Sequence, residues 1–451
     1  MSRNLRIAVV GSGPAGFYAA DALLRSEDPA VEVDLIDRLP TPWGLVRLGV
    51  APDHENIKAV SRAFERTAAK PGFRFFGNVE VGSSVEHEEL LRCYDAVVYT
   101  VGAQTDRRLG VPGEELPGSW PATAFVAWYN GHPDFQDLDF DLDTERVVVI
   151  GNGNVAIDCA RMLALTREEL APTDTVDEAA EAIVASPVKE IVMLGRRGPV
   201  QAAFTPPELK ELGELAGAEP VVDPADLRLD PASERELEAD RERARRNVDL
   251  LHEYAARTPE GKPRRIVLRF LVSPLEILGE ERVEGVRVVR NELVQEEDGR
   301  LVARPTGKTE DIPCGLVLRS VGYKGVPLPG VPFDERSGTI PNDRGRVEGA
   351  ERTYAAGWIK RGPSGVIGTN KKDATETVEC LLEDARTGKL ACVDSTQSLE
   401  ALLDAKGVHY VEYEGWQAID AAERAAGEPL NRPRVKLTAW EKLLETGRIP
   451  R

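Results

Sequence analysis

The sequence predicts an α/β protein built from two doubly wound, Rossmann-like nucleotide-binding domains. Two glycine-rich turns carry this prediction: residues 11–16 (GSGPAG) follow the apolar run 7–10, and residues 151–156 (GNGNVA) follow the apolar run 147–150. Such a turn between a strand and a helix lets the backbone approach a dinucleotide diphosphate at the helix N-terminus. The length of 451 residues exceeds one ordinary domain, which also favours two.

The two turns differ in the residue that ends the next predicted strand. The strand after the first turn ends in Asp37, whereas the strand after the second ends in Arg196 and Arg197. An acid in this place accepts hydrogen bonds from ribose hydroxyls, as FAD or NAD requires, and two guanidinium groups suit a 2′-phosphate. We therefore expect FAD at the first turn and NADP(H) at the second. The alternatives are a structural glycine turn without a nucleotide and an arginine pair that is only a solvated strand end.

Both turns supply backbone that can lie against a diphosphate. The residues expected there are Gly11, Gly13, Ala15 and Gly16 for FAD, and Asn152, Gly153, Asn154 and Val155 for NADP(H).

The order of predicted elements inserts the NADP domain into the FAD domain. We expect the FAD domain at residues 1–105 and 325–451 and the NADP domain at 106–324, with a mostly helical C-terminal segment, 395–451, of no assigned role. The other predicted elements are helices at 15–25, 55–69 and 233–256, strands at 73–76, 79–81, 94–103, 264–270, 283–290, 316–321 and 353–358, and an acidic insertion at 166–181.

Composition excludes several classes of protein. No apolar run reaches the roughly 20 residues of a membrane span, and no signal peptide precedes the first strand, so we expect a cytoplasmic protein without a membrane. A net charge of -19 argues against a nucleic-acid partner. The five cysteines form no Cys-x-x-Cys pair, so the sequence predicts neither a thiol redox centre nor a metal or iron-sulfur site.

Two loops are candidates for contact with a flat ring system. Residues 43–54 are apolar and rich in residues that bend the backbone, and they end in His54. His54 either hydrogen-bonds near the flavin and tunes proton uptake or is structural. Residues 357–368 run from a strand into a helix expected to start near 369–373, whose N-H groups can stabilise negative charge. Trp358 either stacks near the ring or packs between domains.

Charged residues of the NADP domain suggest two further sites. Glu208 or Glu211 can reach the nicotinamide carboxamide, or both can lie on the first turn of a solvated helix. The basic residues either steer an acidic electron-transfer partner or form a solvated face; they are Arg241, Arg243, Arg245 and Arg246, followed by Arg257, Lys262, Arg264 and Arg265.

Long runs of sequence resemble the adrenodoxin reductase family, in particular its bacterial ferredoxin:NADP reductases. The similar runs are residues 11–16, 40–47 (PTPWGLVR), 49–54 (GVAPDH), 151–156, 195–199 (GRRGP) and 357–370 (GWIKRGPSGVIGTN). The resemblance implies an FAD enzyme that takes hydride from NADPH onto flavin N5 and passes single electrons to a ferredoxin-type iron-sulfur protein.

The resemblance also implies particular contacts. The FAD contacts are Ala15, Asp37, Leu45, Val81, Trp358, Gly365, Val366 and Ile367. The NADP contacts are residues 152–155, Arg196, Arg197, Glu208 and Gly365. The family often has Glu where this chain has Asp37. Its partner-binding positive charges lie in the NADP domain, which fits Arg241, Arg245 and Arg246.

Three rival functions share parts of this pattern. A pyridine-nucleotide:disulfide reductase has the same twin-domain plan but needs the missing Cys-x-x-Cys pair. An NADPH-dependent flavin oxidase, monooxygenase or diaphorase would use another electron acceptor. A nucleotide sensor or scaffold would carry out no reaction.

Overall fold

A computed structural model describes residues 4–239, 242–365, 367–390 and 397–448. The chain forms two compact units. Unit 1 comprises the segment that ends at Thr105 and the segment that begins at Gly322, and unit 2 comprises Asp106–Val321. The predicted end of the second domain at 324 is therefore three residues late, because the chain already returns to unit 1 at Gly322.

The strands, in chain order, are β1 Leu5–Val10, β2 Val31–Ile36, β3 Phe73–Phe76, β4 Ala96–Tyr99, β5 Thr105–Asp106, β6 Ser119–Pro121, β7 Arg146–Ile150, β8 Glu190–Leu194, β9 Ala218–Val222, β10 Arg264–Arg269, β11 Val272–Leu278, β12 Gly285–Gln295, β13 Leu301–Pro313, β14 Leu316–Arg319, β15 Tyr323–Lys324, β16 Asn342–Asp343, β17 Arg346–Val347 and β18 Thr353–Ala355.

The α-helices, in chain order, are α1 Pro14–Leu23, α2 Leu45–Leu48, α3 Glu55–Lys58, α4 Ser61–Ala68, α5 His87–Cys93, α6 Ala122–Tyr129, α7 Asn154–Ala164, α8 Arg167–Leu170, α9 Asp177–Ala185, α10 Pro206–Leu212, α11 Pro231–Ala239, α12 Arg243–Ala256, α13 Trp358–Arg361, α14 Ile367–Arg386, α15 Leu399–Ala405, α16 Tyr413–Gly427 and α17 Trp440–Thr446. No helix within the described ranges has the length and apolarity needed to cross a membrane.

Unit 1 contains a mostly parallel sheet in the order β16-β17-β18-β4-β1-β2-β3. Strands β18, β4, β1, β2 and β3 are parallel, and β16 and β17 extend the sheet as short antiparallel strands. Ile7 and Val9 pack into one core and Ala8 and Val10 into another, which explains why β1 is apolar at nearly every position. The strand order reverses between β1 and β4, the place where such sheets bind ligands.

Unit 2 repeats this plan with a parallel sheet in the order β6-β14-β7-β8-β10-β9. Val147 and Val149 belong to one core and Val148 and Ile150 to the other. The strand order reverses between β7 and β14. The prediction of two doubly wound α/β domains is therefore confirmed.

A three-stranded antiparallel sheet, β11-β12-β13, completes unit 2. Its pairing is irregular between Val289 and Asn291, where the register of β12 against β13 shifts. Such a bulge increases the local twist of a strand and redirects its side chains.

Several predicted elements differ from the structure. Residues 79–81 form no strand, because Val81 makes only an isolated bridge to Val85 around a tight turn. The predicted helix 55–69 is divided into α3 and α4, and the predicted helix 233–256 is divided into α11 and α12, with 240–241 outside the described residues.

The C-terminal segment, for which no role was predicted, contacts the loop of residues 43–54. Arg47 in α2 and Glu423 in α16 form a two-pronged ion pair with N–O distances of 2.8 and 2.5 Å. The two side chains are 3% and 0% exposed. Arg434 also contacts Glu423 at 3.1 Å, and the guanidinium of Arg47 lies 5.2 Å from the ring centre of Trp416.

The charge of Glu423 depends on these partners. Burial raises the pKa of the Glu423 carboxyl, but the charges of Arg47 and Arg434 and the N-H of Leu437 outweigh it, so the net pKa is lowered. Glu423 is therefore a buried carboxylate that is stable only while it is paired. Glu423 and Trp416 of α16, together with Arg434, thereby hold the 43–54 loop in place.

We predict that Glu423→Gln lowers the free energy of unfolding by about 3 kcal/mol, because it leaves the buried Arg47 without a full counter-charge. Denaturant unfolding of the purified variant measures this. The control is Glu445→Gln, which breaks an exposed pair with Lys442 in α17 and should cause no measurable loss. Equal small losses in the two variants would show that the Arg47–Glu423 pair does not stabilise unit 1.

Candidate nucleotide-binding sites

The first glycine turn connects β1 to α1 at the reversal point of the unit 1 sheet. Gly11 has φ +104°, and a Cβ on it would lie 2.7 Å from the carbonyl of Thr100 at the end of β4. A Cβ on Gly16 would lie 2.0 Å from the oxygen of Gly11. A Cβ on Gly13, in contrast, would have nothing within 4 Å. Gly11 and Gly16 thus permit close backbone packing, and Gly13 leaves an open surface for a ligand.

The start of α1 offers free donors beside that open surface. Gly13 is the N-cap residue and provides no side-chain hydrogen bond to the first turn. The first N-H groups of a helix have no intrahelical partner, so they are available to an anion.

Asp37 is fixed against the turn. Ser12 donates to its Oδ2 from the backbone N-H at 2.7 Å and from the hydroxyl at 2.6 Å, and the N-H of Leu39 donates to Oδ1 at 2.9 Å. Burial raises the pKa of the Asp37 carboxyl, while these hydrogen bonds lower it less. A carboxylate has about four acceptor positions, so one is left for a ligand hydroxyl.

The 43–54 loop lies directly on the first turn. The N-H of Trp43 donates to the carbonyl of Ser12 at 3.0 Å, and a Cβ on Gly44 would lie 3.0 Å from the Cα of Gly13. Leu45 next to it is 39% exposed and so presents an apolar side chain at the surface beside the turn. The buried indole Nε1 of Trp43 has no hydrogen-bond partner among the described residues. An apolar surface and an unsatisfied buried donor beside an open turn fit a bound group with rings and acceptor atoms.

The loop after β18 approaches the same turn. Gly357 has φ +79°, and a Cβ on it would lie 2.6 Å from the Cβ of Ala15. The N-H of Gly357 donates to Asp373 of α14. Lys360 and Arg361 also pair with Asp373, at 3.1 and 3.2 Å. This cluster fixes the start of α14 to the end of β18.

The helix after this loop begins earlier than the sequence predicted. α14 starts at Ile367 rather than near 369–373, and Gly365 precedes it with φ +80°. Val366, the remaining predicted FAD contact of this loop, lies outside the described residues. Trp358 is half-buried, donates from Nε1 to the carbonyl of Ser364 at 3.2 Å and packs against Tyr323.

Val81 and His54 occupy different surroundings within unit 1. The side chain of Val81 is buried in the core with Val79 and Val85, so only its backbone can contact a ligand. His54 is half-buried at the N-terminus of α3, in the N-cap position.

The second glycine turn connects β7 to α7 and repeats the geometry of the first. Gly151 has φ +142°, and a Cβ on it would lie 2.1 Å from the carbonyl oxygen of Ser320 at the end of β14. A Cβ on Gly153 would meet only the Cβ of Ala203, at 4.0 Å. Asn154 connects the turn to the segment before α10, since its Oδ1 accepts the N-H of Thr205 at 2.9 Å.

Arg196 and Arg197 follow β8 on the surface of unit 2. Arg196 is exposed and Arg197 is half-buried. No carboxylate among the described residues forms an ion pair with either guanidinium, although most arginines in this acidic chain have such a partner. Two unpaired guanidinium groups beside an open glycine turn fit a phosphate.

Glu208 and Glu211 lie on α10 close to a buried arginine. Arg161 contacts Glu211 at 3.5 Å and Asp158 at 2.7 Å. Burial lowers the pKa of Arg161, and the charges of Glu211 and Glu208 oppose that change. Glu208 is itself buried. Glu208 therefore does not lie on a solvated helix face, as one alternative predicted. Glu211, in contrast, is partly exposed.

The basic residues separate into two groups with different environments. Arg243, Arg245 and Arg246 are exposed at the first turn of α12, where Arg246 lies 4.0 Å from Glu242. Arg241 lies outside the described residues.

The second basic group is used within the fold and does not form a free positive patch. Arg264 donates to the carbonyl groups of Leu163, Val188 and Ile183. The other three have partners as well: Arg257 with Glu253, Lys262 with Glu260 and Arg265 with Glu190.

The described cysteines are free and buried. Burial raises the pKa of the Cys93 and Cys159 thiols and raises that of Cys314 to about 12. Thiol exchange requires a thiolate, which burial disfavours. Cys392 lies outside the described residues.

Sequence reasoning missed two groups of residues that organise the sites. One is the pairing of Arg47 with Glu423, for which a signal exists: Trp416, Ile419 and Glu423 share one helical face, and an acid on an apolar face requires a partner. The other is Asp373, which binds Gly357, Lys360 and Arg361 of the loop after β18. Its position on the first turns of a long helix gave no comparable signal.

The two sites and the fold define a pyridine-nucleotide-linked oxidoreductase with two dinucleotide-binding units. A family model for pyridine nucleotide-disulphide oxidoreductases matches residues 5–193, which include both glycine turns.

Comparison with individual proteins narrows the class. NADPH-ferredoxin reductase FprA of Mycobacterium tuberculosis is 51% identical over 455 residues, covering 99% of both chains. Human mitochondrial NADPH:adrenodoxin oxidoreductase is 43% identical over 457 residues, covering 97% of this chain and 91% of the human protein. The structure of Mycobacterium tuberculosis FprA in complex with NADPH superimposes with a TM-score of 0.95 at 50% identity, over 99% of this chain and 100% of the other. The chain belongs to the adrenodoxin reductase family of NADPH-ferredoxin reductases, as the sequence runs indicated.

We predict that alanine substitutions at the first turn separate stability from ligand binding. Gly16→Ala should destabilise the protein by about 3 kcal/mol, because its Cβ would overlap a backbone oxygen. Gly13→Ala should leave stability unchanged, because φ at Gly13 is -73° and the space is open, yet weaken FAD binding. Denaturant unfolding of the FAD-free protein and titration with FAD followed by flavin fluorescence measure the two effects. Parallel losses in both variants would contradict the assignment of Gly13 to the ligand surface.

Proposed function

We propose that this protein is an FAD-dependent NADPH-ferredoxin reductase. The observation that carries the proposal is the pair of similar glycine turns followed by opposite charges, a fixed carboxylate at Asp37 and free guanidinium groups at Arg196 and Arg197. When bound, FAD would supply the conversion of a two-electron hydride into single electrons, which nicotinamide cannot perform. The protein supplies binding, orientation and electrostatics.

FAD is held by unit 1. The backbone at Gly13 and the first N-H groups of α1 bind the diphosphate, and Asp37 accepts a hydrogen bond from the ribose. Leu45 covers the ring system from the 43–54 loop. Further contacts are Gly11, Ala15, Gly16, the backbone of Val81, Trp358, Gly365, Val366 and Ile367.

NADP(H) is held by unit 2. Residues 152–155 and the start of α7 bind the pyrophosphate, while Arg196 and Arg197 bind the 2′-phosphate. Glu208 accepts a hydrogen bond from the nicotinamide carboxamide.

His54 and Glu211 are the proposed catalytic residues, and of the two only His54 is assigned to proton uptake. An imidazole can exchange a proton near neutral pH, and His54 forms the end of the 43–54 loop at the N-terminus of α3. Glu211 keeps the charge of the buried Arg161 compensated, which stabilises the region around Glu208.

The electron acceptor is a ferredoxin-type iron-sulfur protein that docks on the first turn of α12. Arg245 and Arg246 supply exposed positive charge there. In a protein of net charge -19, a local positive patch orients an acidic partner during encounter. The cytoplasmic location expected from the sequence stays a prediction.

We predict that added ferredoxin stimulates NADPH-dependent reduction of cytochrome c by the FAD-loaded protein. Arg245→Gln with Arg246→Gln should reduce the stimulation, with most of the effect at low salt, because rim charges act on the association rate. A dye acceptor assayed without ferredoxin serves as the control and should be unaffected. No stimulation of the wild-type protein by ferredoxin would instead favour a diaphorase or oxidase that uses another acceptor.

We predict that Arg196→Ala with Arg197→Ala changes coenzyme preference. The KM for NADPH should rise on the order of a hundredfold, since two charge-assisted hydrogen-bonding groups are lost, while that for NADH stays within about twofold. Steady-state reduction of a dye acceptor with each coenzyme measures both. Arg228→Ala, which removes another arginine of unit 2 outside the turn, is the control. An equal rise for both coenzymes would contradict the 2′-phosphate assignment.

A further inference from the structure

The peptide bond between Arg196 and Arg197 accepts a hydrogen bond from one buried side-chain amide, that of Asn291. Asn291 lies in β12 at the bulge and is 4% exposed. Its Nδ2 donates to the carbonyl of Arg196 at 2.9 Å and to the hydroxyl of Ser273 at 2.8 Å. Its Oδ1 has no partner among the described residues. An unsatisfied buried acceptor costs about 1–3 kcal/mol, so the position of this amide requires an explanation.

Leu271, which has a strained backbone, also hydrogen-bonds to this segment. Leu271 has φ +56°, a conformation that L-residues with large side chains rarely adopt. Its N-H donates to the carbonyl of Arg197 at 3.0 Å, and its carbonyl accepts the N-H of Asn291 at 2.7 Å. The chain of hydrogen bonds therefore runs from Arg197 through Leu271 to Asn291 and back to Arg196.

Successive peptide planes after β8 are fixed in this way. The carbonyl of Gly195 accepts the N-H of Val272 at 3.0 Å, and the next two carbonyls belong to Arg196 and Arg197. Because each peptide unit is planar, fixing the three successive carbonyls of Gly195, Arg196 and Arg197 restrains φ and ψ at both arginines, and with them the directions of both Cα–Cβ bonds. Arginine side chains are long and lose conformational entropy when they become ordered. If the backbone that carries them is already fixed, less entropy is lost on ligand binding.

We propose that Asn291 is a positioning residue for 2′-phosphate recognition: by holding the Arg196–Arg197 peptide it directs both guanidinium groups at the phosphate and thereby sets the preference for NADP(H) over NAD(H). This inference rests on the proposed function of the arginine pair and deepens it. Asn291 touches neither coenzyme, and its contribution acts through the two arginines.

In this role, Asn291 affects the affinity only for ligands that carry the 2′-phosphate. A residue that only maintains the fold of unit 2 would weaken every adenine nucleotide alike. Loss of Asn291 should instead weaken only ligands that carry the 2′-phosphate, because the pyrophosphate and adenosine contacts come from other residues of the unit.

The test is calorimetric titration of the FAD-loaded protein with adenosine 2′,5′-bisphosphate and with adenosine 5′-monophosphate. Asn291→Leu keeps the size of the side chain and removes its donors. The dissociation constant for the bisphosphate should rise about five- to tenfold, and that for the monophosphate should change less than about twofold. If the leucine variant does not fold, Asn291→Ser, whose hydroxyl is too short to span to the Arg196 carbonyl, replaces it with the same expectation.

Two control variants separate this role from general effects. Ser273→Ala removes only the second acceptor of Asn291 and should leave both dissociation constants unchanged. Asn130→Leu removes another buried amide of unit 2, which donates to the carbonyl of Val126, and should not change the ratio of the two constants.

Equal weakening of both ligands by Asn291→Leu, or no weakening of either, would overturn the positioning role. Failure of the proposed function looks different: the wild-type protein would then bind the two ligands with equal affinity, before any substitution is made.

Discussion

The buried ion pair between Arg47 and Glu423 is the constraint on which the first site depends. Removing a carboxylate and a guanidinium from water is costly, and the cost is offset only when both groups are fully paired. The pair therefore forces α16, near the end of the chain, to lie against the 43–54 loop. That loop in turn covers the glycine turn through Trp43 and Gly44. A segment near the end of the chain thus fixes the loop that lies on the first glycine turn.

The two units reach similar surfaces by similar means. In each, the first glycine adopts a positive φ and packs against the backbone of the neighbouring parallel strand, and the second glycine faces open space. The units differ in what surrounds the turn. Unit 1 presents a fixed carboxylate and an apolar loop, and unit 2 presents two unpaired guanidinium groups whose backbone is held by Asn291 and Leu271. The chemical difference between the two proposed sites therefore lies in the neighbours of the turns and not in the turns themselves.

The sequence predicted the parts of the structure that depend on local pattern. Strands such as β1 and β7 are apolar on both faces, and the glycine spacing between strand and helix is specific, so both turns and the charges at Asp37 and Arg196 were recognisable. Residues 79–81 were predicted wrongly as a strand, since three alternating residues cannot distinguish a strand from a tight turn.

Contacts between distant residues were not predictable in the same way. Arg47 and Glu423 are 376 positions apart, and no pattern in one segment identifies its partner in the other. Asn291 supports Arg196 from a strand 95 residues later, at a bulge whose position depends on the pairing of β12 with β13. Arg264 and Arg265 also depend on distant partners. They stand in a basic run of the sequence, but in the structure they bind carbonyl groups and Glu190 within the fold.

The central claim is that one chain binds FAD at the carboxylate-flanked turn and takes electrons from a 2′-phosphorylated nicotinamide bound at the arginine-flanked turn. Anaerobic mixing of the FAD-loaded protein with stoichiometric NADPH, followed through the visible absorbance of the flavin, tests it most directly. We predict that the flavin absorbance bleaches with NADPH and far less with NADH at the same concentration. Colour that persists with excess NADPH, or equal bleaching by both coenzymes, would contradict it.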